Sequence, residues 1–396
     1  MADAILSADR TKKINRIAVG TLFFLQGICF ATWASRIPSI QEKLVISNSL
    51  LGIVLFALPI GSMFSLIFSG RFIARYGSKK VAVNALFSYA LTLPLIGFAT
   101  SVPLLITSLV LFGIAGNMAN IAINTQAVHV EARYGKNIMA SFHGLWSLAG
   151  FSAAGIGTFM IARSVVPLTH FIVITTVIIA GVAACLQYLI ADEERAVANT
   201  KFFVKPDGSL VKLGILAFCC MICEGAMFDW SGIYFQKVVN APKDWVGAGY
   251  TAFMCTMAGG RFIADWVANK WNFQKTITIS GALITTGLAI AVLFPYVLTA
   301  IIGFLIVGLG VSSVIPLIYS EAGKSKVASP GAALTAVSSI GFLGFLFGPP
   351  LIGIIAGGLG LRIAFILVAV MGILVSIMVQ LTNLRSNRIE YHPTTR

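Results

Sequence analysis

The sequence predicts an all-α membrane protein in which twelve transmembrane helices form two six-helix bundles related by pseudo-two-fold symmetry. Three observations predict this fold: the composition, the spacing of the apolar segments and an internal repeat. The 396 residues are 58% hydrophobic and only 11% charged, and their mean hydropathy is +0.91. A soluble chain carries about 25% charged residues. We therefore expect most of the chain to lie in a lipid bilayer.

The apolar segments have roughly the 20 residues that a transmembrane helix needs. Polar stretches separate them, and the longest of these follows the sixth segment. The predicted spans are residues 17–35, 48–69, 81–99, 103–128, 138–162, 166–190, 213–235, 246–264, 276–294, 297–319, 331–356 and 361–382.

Lysine and arginine are distributed unevenly between the two sides of these spans. Twelve spans put both termini on one side, and that side carries 22 of the 28 basic residues. Cytoplasmic loops carry such an excess. The sequence thus predicts a multi-pass membrane protein with both termini cytoplasmic. The net charge of +14 follows from this topology, so no nucleic-acid partner is expected.

Two motifs recur in order along the chain, which indicates a duplicated six-helix unit. GRFIARYGSKK begins at Gly70, and GRFIADWVANK begins at Gly260. QGICFATWAS begins at Gln26, and EGAMFDWSG begins at Glu224. The predicted parts are an N-terminal bundle (1–190), a cytoplasmic linker (191–212) and a C-terminal bundle (213–396).

Twelve spans, duplicated halves and the motif at 70–80 together resemble the major facilitator superfamily over nearly the whole chain. Finer strings are similar to the YbjJ-like bacterial inner-membrane transporters, which are distantly like fucose permeases: WASRIP (33–38), INTQAVHVE (123–131), SFHGLWSLAGF (141–151) and EGAMFDWS (224–231). The resemblance implies the major facilitator fold, a location in the bacterial inner (cytoplasmic) membrane and transport of a sugar-like solute.

Glu224 is the predicted functional centre. It lies about 16 Å along its span, near the midplane of a hydrocarbon core about 30 Å thick. A carboxylate there costs about 2.5–3.5 kcal/mol by insertion measurements, so it is expected to face a polar cavity. No basic residue lies in the middle of a predicted span. Glu224 is therefore expected to be unpaired, to favour its protonated form and to carry the transported proton.

Amide side chains are the candidate solute ligands. Asn117, Asn120 and Asn124 share one face of the fourth span within about 60°, and Gln26 takes the place of Glu224 in the first half. The asparagines either line the cavity or join helices by hydrogen bonds. Fucose permeases and their relatives often have a carboxylate where this chain has Asn120. If that carboxylate binds the proton in those relatives, this chain has moved the proton-binding site to another residue or has lost it.

Aromatic and charged residues complete the predicted site. His143 and Trp146 share a helix face, and His143 either titrates in function or donates to a neighbouring carbonyl. The solute is expected to stack on Trp146 or Trp230. Asp229 either pairs with Arg36 and links the halves, or is a solvated residue near the membrane surface.

The repeated loop motif is expected to brace the cytoplasmic gate, and the less favoured alternative is that its cations only fix topology. The superfamily's usual carboxylate position is Ala74 here, and the second copy carries Asp265 one place later. The candidate gating residues are Gly70, Arg71, Arg75, Gly77, Gly260, Arg261 and Asp265.

These features predict a secondary active transporter that moves a small polar solute by alternating access, as a proton-coupled symporter. Its expected partners are the solute, protons and the bilayer, and it is expected to be a monomer without cofactor, metal or enzymatic activity. Cys220 and Cys223 lie in an apolar helix without nearby histidines, which favours packing over metal or redox chemistry. The alternatives are a drug or metabolite efflux antiporter and, less favoured, a membrane sensor or an intramembrane enzyme.

Overall fold

The computed structural model describes residues 2–134, 138–191, 208–322 and 330–381. These ranges are helical and contain no β-strand. Two short 3-10 helices, Leu186–Tyr188 and Lys243–Trp245, accompany the α-helices. The α-helices are α1 (Ala2–Ser35), α2 (Ile37–Leu44), α3 (Asn48–Tyr76), α4 (Ser78–Phe98), α5 (Val102–Tyr134), α6 (Met139–Ala162), α7 (Pro167–Cys185), α8 (Gly208–Lys237), α9 (Ala248–Lys270), α10 (Phe273–Leu293), α11 (Val297–Ser312), α12 (Val314–Ala322), α13 (Pro330–Gly358) and α14 (Leu361–Leu381).

Eleven helical segments of the described chain are long and apolar enough to cross a membrane. They correspond to eleven of the predicted spans, with α11 and α12 together forming one of them. The remaining predicted span, 246–264, is occupied by the 23-residue helix α9. The prediction of an all-helical membrane protein is confirmed.

Several helices extend beyond their predicted ends, among them α8 and α5. Helix α8 begins at Gly208, so the last residues of the predicted linker 191–212 are already helical; residues 192–207 lie outside the described ranges. Helix α5 continues to Tyr134 and carries Glu131 to the start of α6. The Glu131 carboxylate there accepts the backbone N–H groups of residues 138 and 139 at 2.8 and 2.9 Å. These N–H groups would otherwise have no partner within the helix.

The helices pack in two sets. Helices α1 and α3–α7 contact mainly one another, and α8–α14 contact mainly one another. Helix α3 packs against α13 and α6 packs against α9, which joins the two sets. We call the face with both described chain ends the terminal face, and the opposite face the distal face.

The two sets touch closely at the distal face. A Cβ atom added at Gly353 of α13 would lie only 2.6 Å from the Cα atom of Gly52 of α3, so both helices depend on glycine there. The hydroxyl groups of Thr158 and Thr251 are 2.9 Å apart between α6 and α9. Farther along α3 toward the terminal face, Leu66 lies one turn after the cavity-lining Ser62 and is exposed. The space between the sets is therefore closed distally and opens toward the terminal face.

Candidate functional site

A cavity of about 440 Å³ lies between the two sets of helices. Its polar and titratable lining comes from both sets, and aromatic rings form much of the remaining wall. The polar members are Gln26, Ser62, Tyr89, Asn117, Asn120, His143, Glu224, Asp229, Arg261 and Tyr319. The phenylalanine and tryptophan members of the lining are Phe23, Phe30, Trp33, Phe112, Trp146, Phe228, Phe342 and Phe345.

Glu224 lines this cavity but is paired, which corrects the expectation of an unpaired carboxylate. Arg261 Nη2 donates to Glu224 Oε1 at 3.2 Å, and the side chains are 21% and 7% exposed, respectively. Arg261 Nη1 donates to Ser147 Oγ of α6 at 2.7 Å. Arg261 therefore connects the central acid to the other set of helices.

The position of Arg261 follows from the length of α9. The predicted span ended at residue 264, which put Arg261 near a membrane surface, whereas α9 continues to Lys270. Arg71, its counterpart in the first copy of the repeat, is exposed five residues before the end of α3. The same motif thus lies at different depths in the two halves.

The four predicted amides are not equivalent. Gln26 donates to the Gly116 carbonyl at 3.3 Å, while its buried Oε1 atom has no partner among the described residues. Asn117 lines the cavity and also donates to the Ser62 carbonyl at 3.1 Å, so it combines both predicted roles. Asn120 is exposed to the cavity, whereas Asn124 is not among the lining residues and donates to Asn120 Oδ1 at 3.1 Å.

The predicted aromatic residues also differ in whether they line the cavity. His143 and Trp146 line the cavity, and the His143 ring meets Phe23 edge-on at a centroid distance of 5.3 Å. Trp230 is fully buried outside the lining, which contradicts the predicted stacking of solute on its ring. Trp33 is as deeply buried, but it belongs to the cavity lining. Sequence reasoning missed it, although WASRIP contains it, because helical position alone does not tell which neighbouring helix a ring faces.

The predicted Arg36–Asp229 pair is absent. Arg36 is buried beside α7 and donates to the Val165 carbonyl. Asp229 lines the cavity with no hydrogen bond or ion pair to any residue that the structure describes. The alternative of a solvated residue near the membrane surface does not fit either, because Asp229 lies in the central cavity.

The candidate gating residues are placed as follows. Gly77 ends α3 with a φ of +82°, a conformation that favours glycine, and Arg75 contacts the Tyr76 ring. An added Cβ atom at Gly70 would meet nothing within 4 Å, whereas one at Gly260 would lie 2.3 Å from Ser312 Oγ. The side chains of Ala74 and Asp265 lie outside the described residues.

The model of the Major Facilitator Superfamily matches residues 19–329 of the chain. The chain is 30% identical over 357 residues to an uncharacterized MFS-type transporter of Yersinia pestis, covering 90% of this chain and 93% of the relative. It is 31% identical over 371 residues to the membrane protein MosC of Rhizobium meliloti, covering 92% and 89%.

Solved structures share the fold at low sequence identity. A mutant of the nucleoside transporter NupG matches with a TM-score of 0.77 and 12% identity, over 93% of this chain and all of that chain. The transporter FucP in its outward conformation matches with a TM-score of 0.64 and 15% identity, over 94% of this chain and 99% of that chain.

Proposed function

Because the chain belongs to the major facilitator superfamily, and is thus a multi-pass membrane transporter and not an enzyme, we propose that it is a secondary active transporter working by alternating access. Residues 1–190 and 213–396 form the two moving bundles. Helix α9 also crosses the membrane, which brings the number of spans to twelve. With cytoplasmic termini, the terminal face is cytoplasmic, so the structure corresponds to an inward-facing state. Its membrane is the bacterial inner membrane.

The Glu224–Arg261–Ser147 chain of contacts carries this proposal. Glu224 and Arg261 belong to one half, and Ser147 belongs to the other. Protonation of Glu224 removes the negative charge that holds Arg261, since a neutral carboxyl group interacts far more weakly with a guanidinium group. The proton thereby changes a contact between the halves, and this is how proton binding is coupled to their movement.

The cargo is a small polar solute. Gln26, Asn117 and Asn120 offer amide donors and acceptors in the cavity, and Trp146 offers a ring face. A cavity of about 440 Å³ is within the range of small-molecule sites. The fold is shared with a fucose:proton symporter and a nucleoside transporter, which supports a polar, sugar-like solute and symport. Nothing in the comparisons favours the efflux alternative.

Uptake by proteoliposomes tests this function. The purified protein is reconstituted, and a panel of polar solutes is offered with and without an inward proton gradient. We expect one class of solute to accumulate against its gradient only when the pH gradient is present. Glu224→Gln keeps the shape but cannot release a proton, so it should abolish accumulation while solute binding remains.

Asp244→Asn is the matched control, because Asp244 is an exposed acid between α8 and α9. It should accumulate solute like the unaltered protein. Accumulation by the Glu224→Gln variant in response to the pH gradient would show that Glu224 is not the coupling residue.

A further inference from the structure

The proposed coupling leaves one cavity carboxylate without a role. Among the lining residues of the described chain, the acids are Glu224 and Asp229, and the only arginine or lysine is Arg261. Arg261 is already paired with Glu224. Asp229 has no hydrogen bond or ion pair within the described chain. The cavity therefore holds one uncompensated negative charge when both acids are ionised.

Asp229 lies at the distal end of the cavity. It follows Glu224 by five residues on α8, a rise of about 7.5 Å toward the distal face. Four aromatic side chains of the same cavity lining are grouped here as the aromatic floor: Phe30, Trp33, Phe228 and Phe345. The Phe228 ring meets Phe30 edge-on at 5.4 Å and is stacked with Phe345 at 6.3 Å between centroids.

An unpaired carboxylate in a cavity that is lined by aromatic rings is a suitable site for an organic cation. The carboxylate supplies the opposite charge, and ring faces attract an ammonium group, more strongly where water is excluded. A calcium or magnesium ion requires about six or more oxygen ligands, which apolar rings do not provide. Asp229 also disfavours an anionic group at this end of the cavity, because like charges repel.

We infer that Asp229 and the aromatic floor bind a protonated amine of the solute, so that the cargo is a small polar amine; this inference rests on the proposed transport function. The amides of Gln26 and Asn117 remain for the hydroxyl groups of such a solute. The amine contacts both halves, because Phe30 and Trp33 belong to the first and Asp229 to the second. The bound solute is thus held where the distal face must open.

Binding of three matched probes tests this inference. The purified full-length protein is titrated with glucosamine, glucose and glucuronate, at a pH at which the amine is protonated, and tryptophan fluorescence is followed because Trp33 and Trp146 line the cavity. We expect glucosamine to bind at least about tenfold more tightly than glucose, which corresponds to about 1.4 kcal/mol. Asp229→Asn should reduce this preference to less than about twofold, and Asp229→Glu should keep most of it.

Asp244→Asn is the matched control, because Asp244 is exposed in the segment between α8 and α9 and its loss changes the net charge equally. It should leave the preference unchanged. If the Asp229→Asn variant does not fold, competition experiments on the unaltered protein test the inference instead. Tetramethylammonium chloride should compete with glucosamine for binding, and sodium chloride at equal ionic strength should not.

Three results would overturn the inference. One is an equal response to glucosamine and glucose, including no response to either. Another is tighter binding of glucuronate, which would place the charged subsite at Arg261. The third is competition by sodium ions equal to that by tetramethylammonium. If a neutral sugar still accumulates under a pH gradient in proteoliposomes, the transport function stands and only the amine preference fails.

Discussion

At the scale of single residues, the ion pair between Glu224 and Arg261 has the largest consequence. Both groups lie in the cavity, and the Glu224 side chain is only 7% exposed. Burying a lone charge costs far more than burying a pair, because a partner replaces part of the lost hydration. The two repeat motifs share their first five residues, but Arg71 of the first motif is exposed. The similarity of the motifs therefore gave no indication that Arg261 of the second motif pairs with Glu224.

A double-mutant cycle tests the pair. Arg261→Met leaves Glu224 buried without its partner and should lower the free energy of unfolding by about 3 kcal/mol. Adding Glu224→Gln removes the lone charge, so the double variant should recover most of that loss. Thermal unfolding of the purified proteins in detergent measures both effects. Arg71→Met, the exposed counterpart in the repeat, should change stability by less than about 0.5 kcal/mol. A double variant no more stable than Arg261→Met would mean that the pair is not coupled.

At the scale of elements, the close approach of α3 and α13 holds the distal face closed. The backbones meet at Gly52 and Gly353, where even a methyl group would force the helices apart. Both helices also contain proline, at Pro59 in α3 and at Pro349 and Pro350 in α13. Proline removes a backbone hydrogen bond and bends a helix. The contact at the distal ends of these helices can therefore break while the rest of each helix stays formed.

Gly353→Ala should shift the protein toward a state that is open at the distal face. The added Cβ atom would lie 2.6 Å from the Cα atom of Gly52, a clash that only separation of the helices relieves. A cysteine at position 117, in a variant without the native cysteines, should then react faster with an impermeant thiol reagent applied to the distal side. Gly358→Ala lies in the same helix with no atom within 4 Å of the added Cβ, and it should leave the rate unchanged. An unchanged rate in Gly353→Ala would contradict a role for this contact in closure.

At the scale of the whole molecule, the direction of the chain in the membrane decides which compartment the open cavity faces. The distribution of basic residues predicts cytoplasmic termini, and the cavity opens toward the face that carries them. Of the basic residues assigned to that side, Arg261 instead lies inside the cavity. One displaced residue does not alter the strong asymmetry on which the prediction depends.

Labelling of single cysteines tests this orientation. Cys255 is exposed, so the native cysteines are replaced first. A cysteine at Ser209, exposed at the start of α8, should react with an impermeant maleimide only from the cytoplasmic side. A cysteine at Ser101, exposed between α4 and α5, is the control for the distal face and should react only from the periplasmic side. The opposite pattern would invert the topology and make the structure an outward-facing state.

The sequence by itself determined the helical membrane fold, the positions of the spans, the internal repeat and the central depth of Glu224. These are properties of one helix at a time, because hydropathy and helical period depend only on neighbouring residues. The tertiary structure alone decided that Arg261 pairs with Glu224, that Asp229 has no ion pair within the described ranges and that Trp33, not Trp230, belongs to the cavity lining. Each of these depends on how far a helix continues and how it is rotated against its neighbours. Packing between segments that are distant in the chain determines the length and the rotation of each helix. A long side chain such as arginine can also reach a partner that the spacing of residues in the sequence does not identify.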